Sequence, residues 1–171
     1  ILKAADGQLW VLACSIKGGA ETDVKDDWRT PGAVWAAPLS DNLEQYTADN
    51  QLKLTCVANY QVQNHGFWTA PDKSYALIST AAGVFRYVPP TTPQGAWDVT
   101  CLLVQPTSDI VATDFDGDGK LDMVTFTQQM SAGDTWTAEI YALDGAGNMS
   151  GKPVRSFAIT KDNAANFAWD G

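Results

Sequence analysis

The stretch DFDGDGKLD, residues 114–122, sets Asp114, Asp116 and Asp118 at alternate positions and returns to an acid at Asp122. Calcium is a hard cation that takes six to eight oxygens at about 2.3–2.6 Å, and a short loop supplies them when carboxylates alternate with residues that let the backbone curl. Here Gly117 and Gly119 permit the curl, Lys120 at the seventh position can offer its carbonyl, and Asp122 at the ninth closes the set. Four carboxylates so close repel one another unless a cation lies among them. The expectation is one Ca2+ ion held as part of the fold.

Other residues offer weaker chemistry. His65 is the single histidine, and no cysteine or carboxylate pattern accompanies it to make a zinc site or a general base. The acidic run Glu21, Asp23, Asp26 and Asp27 lacks glycine turns and contains Lys25, so it reads as a solvated loop. Of the seven tryptophans, Trp10, Trp35, Trp68 and Trp136 fall in strand-like runs and read as packing residues, whereas Trp28 and Trp97 fall in loops and are the candidates for ligand binding. No nucleophile elbow, zincin helix motif or phosphate-binding loop is present, and nothing points positively to catalysis. Cys14, Cys56 and Cys101 are too widely spaced for a metal knuckle; one bridge with one buried thiol, or three buried thiols, are the open alternatives. The sequon Asn148-Met149-Ser150 accepts a glycan only in a eukaryotic secretory pathway.

The 171 residues are 45% hydrophobic and 18% charged, enough for a packed core. The formal net charge of -9 repels phosphate backbones and anionic surfaces, so nucleic acid is not an expected partner. The longest apolar runs, such as LWVLACSI, fall short of the roughly 20 residues needed to cross a bilayer, and membrane insertion is not expected either. A chain opening at Ile1 with no leader pattern reads as a mature, trimmed or excised piece.

The acidic loop must be held by strands. QLWVLACSI, AVWAAPL, LKLTCVANY, SYALIST, GVFRYV, WDVTCLLV, DIVAT, LDMVTFT, TWTAEIYAL and VRSFAIT are rich in Val, Ile, Thr and aromatics and are bounded by turn clusters of Gly, Pro, Asn and Asp. Helix is expected to be marginal, with ETDVKDDW and DNLEQYTADN able to hold at most a short turn. Three units follow from the pattern, residues 1–60, 61–108 and 109–165, with AWDG at the end reading as the start of a fourth, 166–171. Asp6-Gly7 and Asp72-Lys73 stand where the first two units would carry their acidic loops, and one acid each is too few for calcium. Position twelve of the third loop is Thr125 rather than Glu, and a strand pattern follows, which excludes an EF-hand.

On these residues the stretch IVATDFDGDGKLDMVTF resembles the FG-GAP or VCBS repeat of integrin-α-type β-propellers. The resemblance implies all-β propeller blades, about three four-stranded antiparallel units. It further implies side-chain ligation of Ca2+ by Asp114, Asp116, Asp118 and Asp122 and carbonyl ligation by Lys120. Since a propeller typically closes with at least four blades, further blades of the same propeller are the expected partners, with assembly from several chains or an open sandwich-like arrangement as alternatives. The function implied is non-catalytic recognition or adhesion by a secreted or cell-surface protein, with a glycan or an extracellular protein as ligand. The alternative is a propeller-type carbohydrate-active enzyme, a lyase or dehydratase, because fold alone does not separate the two.

Overall fold

The computed structural model describes residues 1–15, 33–59, 64–104, 109–128 and 136–159. The described chain is all-β, with three four-stranded antiparallel sheets. The first contains β1 (Leu2–Lys3), β2 (Leu9–Ser15), β3 (Ala33–Pro38) and β4 (Thr55–Asn59) in sequence order. The second contains β5 (Asn64–Thr69), β6 (Ala76–Thr80), β7 (Gly83–Val88) and β8 (Asp98–Leu103), and the third β9 (Asp109–Thr113), β10 (Asp122–Gln128), β11 (Trp136–Ala142) and β12 (Arg155–Ile159). Every strand pairs with its neighbour in sequence, which is the simplest way for short strands joined by turns to satisfy their backbone groups. No closed sheet is found among the described residues.

Helix is confined, among these residues, to a single 3-10 turn at Leu43–Gln45 within the DNLEQYTADN stretch, where the Asn42 side chain accepts from Glu44 N. No described helix is long and apolar enough to cross a membrane. The ETDVKDDW stretch, the acidic run at 21–27, Trp28 and the segment 166–171 lie outside the described residues. His65 falls on β5, and its side chain is also outside them.

By contacts the chain divides into two compact units. One takes Ile1–Asn64, Thr69–Ala76 and Arg86–Thr100; the other takes His65–Trp68, Leu77–Phe85 and Cys101–Gly171. In the first, Leu2, Trp10, Val34 and Ala36 are buried together with Tyr75, Ala76 and Tyr87, and Lys3 N donates to Lys73 O. Arg86, almost fully buried there, donates through its guanidinium to Asp98 at 3.0 Å and Thr100 at 3.3 Å. In the second, Leu77, Ile78 and Val84 are buried, as are Met123, Val124, Ala138 and Ile140 of the third sheet. The buried Ser79 hydroxyl accepts from Gly66 N at 2.7 Å, as a polar group on a covered strand requires.

Three expectations fare differently. β10 alternates in sequence, but Asp122, Met123, Val124 and Thr125 are all buried, because neighbouring groups cover both of its faces. Trp10 and Trp35 lie on strands as packing residues, Trp35 with its indole N–H on Ser15 Oγ at 3.1 Å. The cysteines depart from both alternatives. Among the described residues Cys14, Cys56 and Cys101 are free and exposed, on β2, β4 and β8, although burial pushes the Cys14 thiol up to about 11.

Candidate metal centre

The acidic loop closes the hairpin between β9 and β10. Thr113 pairs with Asp122, so residues 114–121 form the connection and Asp122 is already the first residue of a strand. This position buries Asp122 to 5% exposure, whereas Asp114 and Asp116 remain exposed. Phe115, between the two exposed acids, packs against the buried cluster of Val124, Ala138 and Ile140. One apolar side chain thus fastens the loop to the sheet, and Leu121 O, accepting from Leu143 N at 2.9 Å, fastens its other end.

Within the loop the carboxylates organise the backbone. Asp114 accepts from Gly117 N at 2.8 Å with Oδ1 and from Gly119 N at 2.9 Å with Oδ2, so the chain curls around it. Asp116 Oδ1 accepts from Asp118 N, Asp118 Oδ1 from Lys120 N, and Asp122 Oδ2 from Phe115 N across the loop. Aspartate is suited to such local bonds because its short side chain reaches its own backbone two or three residues on. Gly117 and Gly119 have φ of +79° and +85°, a region that costs other residues steric strain.

Asp114, Asp116 and Asp122 each bring a carboxylate oxygen to within 4.8 Å of the other two. Oxygens ligating one calcium ion at about 2.3–2.6 Å lie at most roughly 4.6–5.2 Å apart, so this span suits a common ion. The donor set, all hard oxygen, also suits calcium or magnesium over softer metals. Among the four acids that the motif nominates, Asp118 stands apart from this triad. Lys120 Nζ donates to Asp118 Oδ2 at 2.8 Å, forming an ion pair at the loop tip.

The electrostatics follow the positions. Burial pushes the Asp122 carboxyl above its ordinary range, with the charges of Asp116 and Asp118 adding to the shift and the Phe115 N–H opposing it. The hydrogen bond from Lys120 holds Asp118 below that range, and the same bond holds the Lys120 ammonium up. At water's dielectric constant each pair of carboxylates at this separation repels by on the order of 1 kcal/mol, and by more where Asp122 is buried.

The corresponding connections in the other two sheets hold no such cluster. Asp6 accepts from Gln8 N at 3.0 Å, and Asp72 accepts from Ser74 N and Ser74 Oγ at 3.0 and 2.7 Å. Trp97 stands just before β8, half-buried, with its ring edge-to-face on Trp10 at 5.4 Å between centroids. That contact joins positions too distant in sequence for any local pattern to link them. Comparison of the chain with known protein families and with curated proteins gives no match to any family model or any curated protein.

Proposed function

We propose that this chain is a calcium-stabilised segment of an FG-GAP/VCBS-type β-propeller, acting outside the cell in non-catalytic recognition of a glycan or a protein. The observation that carries the reading is the convergence of Asp114, Asp116 and Asp122 oxygens within 4.8 Å, on the loop between the first two strands of a four-stranded sheet. Asp114, Asp116 and Asp122 would hold the ion, with Asp118 joining after release from Lys120 and Lys120 contributing its carbonyl. A bound ion supplies positive charge that offsets the mutual repulsion of the carboxylates. The extracellular assignment rests on the supply of free calcium that such an exposed loop needs.

Three four-stranded sheets from consecutive strands support blades as the architecture, and further blades would be supplied by additional chain or by partner chains. The test is a calorimetric titration of calcium into the metal-free protein, repeated on the double variant D116A/D118A. Saturable binding of one ion that the variant loses supports the reading. Absence of heat, with a melting temperature indifferent to calcium and chelator, would remove it.

A further inference from the structure

The described turns contain four Asp-Gly pairs, Asp6-Gly7, Asp116-Gly117, Asp118-Gly119 and Asp144-Gly145, while Asp170-Gly171 lies outside the described residues. In such a pair the aspartate side chain can close on the backbone, because glycine has no Cβ to shield its own nitrogen. The four are alike in three respects. All eight residues are exposed, and a Cβ built at any of the four glycines meets nothing within 4 Å. Each aspartate Oδ1 also accepts from the N–H two residues on: Gln8 at 3.0 Å, Asp118 at 3.1 Å, Lys120 at 2.8 Å and Ala146 at 2.9 Å.

They differ at the glycine nitrogen. Gly7 N donates to Ala4 O at 2.9 Å, and Gly117 N and Gly119 N donate to the two carboxylate oxygens of Asp114 at 2.8 and 2.9 Å. Gly145 N donates to no group of the described chain. Its turn is closed by its neighbours, Gly147 N to Asp144 O and Asp144 N to Asn148 O, both at 2.9 Å. Besides Ala146 N, the Asn148 N and Nδ2 groups each donate to the Asp144 carboxylate at 2.8 Å and hold it over the turn. A positioned carboxyl thus adjoins an amide whose proton only water can take, and such positioning replaces a search by the chain.

We propose that Asp144-Gly145 is a site of spontaneous succinimide formation, at which the turn between β11 and β12 converts to isoaspartate ahead of the other described Asp-Gly pairs. Gly145 N bonds to Cγ of the protonated Asp144 carboxyl, while the amide proton and the Cγ hydroxyl leave as water. Water then opens the ring. Cleavage between N and Cγ restores aspartate, whereas cleavage between N and the Asp144 backbone carbonyl carbon leaves the chain running through Cγ and the former carbonyl as a carboxylate. The product carries an extra backbone atom directly after Leu143, which pairs with Met149 and whose N–H holds Leu121 O. The modification therefore acts on the strand end that fastens the acidic loop, whether or not that loop holds an ion.

Attack at a tied nitrogen requires its hydrogen bond to break first, which slows the reaction about two- to tenfold for a backbone acceptor. The delay is greater at Gly117 and Gly119, whose acceptor is a carboxylate. In the test, the full chain is incubated near neutral pH in heavy-oxygen water with chelator present. Peptide mapping by electron-transfer mass spectrometry then distinguishes isoaspartate from aspartate at each site and follows incorporation of the heavy oxygen.

Isoaspartate should accumulate at Asp144 about two- to tenfold faster than at Asp6, with Asp116 and Asp118 slower still. The same incubation in urea should bring the four rates together, since the dipeptide is shared and only the fold separates them. In D114A, Gly117 N and Gly119 N lose their acceptor, so Asp116 and Asp118 should approach the unchanged rate at Asp144. Equal rates at the four sites of the folded protein, a faster rate at any of the other three, an Asp144 excess that persists in urea, or unchanged rates at Asp116 and Asp118 in folded D114A would overturn the proposal. The comparison of folded with urea-unfolded protein decides the matter even if D114A does not fold.

Discussion

The loops joining the first and second strands of the first and third sheets solve the same problem with different chemistry. In the first sheet the connection is a tight turn closed by Gly7 N to Ala4 O and Ala4 N to Gln8 O, with one carboxylate, Asp6, capping Gln8 N. The middle sheet repeats this plan, with Lys73 N to Ala70 O, Ala70 N to Tyr75 O, and Asp72 capping Ser74. In the third sheet the connection is longer, its backbone N–H groups are taken by side chains, and three carboxylates meet near one point. The lesson is that a single aspartate suffices to close a hairpin of this kind. The extra acids in the third loop add repulsion that the turn itself does not require.

The comparison breaks most visibly at Asp114. D114A should weaken calcium binding by about two orders of magnitude or more, since ligand charge count sets affinity in such loops. D6A and D72A should leave calcium binding unchanged and lower stability by about 1 kcal/mol or less, the worth of a surface turn bond. Parallel calcium titrations and denaturant melts of the three variants check this.

Chelation is the next largest test. At calcium 100 times its dissociation constant the native state gains about 2.7 kcal/mol, which for a chain of this size corresponds to a loss of roughly 5–10 °C in melting temperature on adding chelator. Scanning calorimetry with and without chelator reads it directly.

The pH dependence sharpens the contrast further. The folded pKa of Asp122 is raised, so the metal-free protein binds its proton more readily folded than unfolded, and its stability falls as pH rises through that value. Calcium, in contrast, needs the carboxylates ionised. The calcium-induced rise in melting temperature should therefore shrink as pH is lowered from neutrality to about 4, as Asp122 takes up its proton. A rise independent of pH would show that the ion sits elsewhere.

Two smaller effects complete the series. Lys73 holds a φ of +66° where the first loop uses Gly7 at +94°. K73G should stabilise the middle turn by up to about 1 kcal/mol, the relief of left-handed strain exceeding the added chain entropy. K120M should free Asp118 from its ion pair and raise calcium affinity about two- to fivefold, as befits a surface pair.

Much of the fold is legible in the residues. Runs such as LWVLACS and DMVTFTQ carry β-branched and aromatic side chains between turn clusters, and strand formation follows because those signals are local. The scarcity of helix among the described residues is legible for the same reason: no stretch sustains a helical period. The acidic spacing of residues 114–122 marks the loop as a cation-site candidate, yet spacing alone does not separate the Asp114–Asp116–Asp122 triad from the Asp118–Lys120 pair. That division depends on Asp122 entering a strand opposite Thr113 while Asp118 stays at the exposed tip.

The sequence by itself determined strand and turn chemistry and the place of a curled acidic loop. Only the tertiary structure decided which carboxylates converge and how deeply Asp122 is buried. It also decided that all three thiols stay free and exposed, and that Trp97 meets Trp10. The physical reason is range: propensity and turn formation act between near neighbours in the chain, whereas burial and convergence are set by groups that only folding brings together.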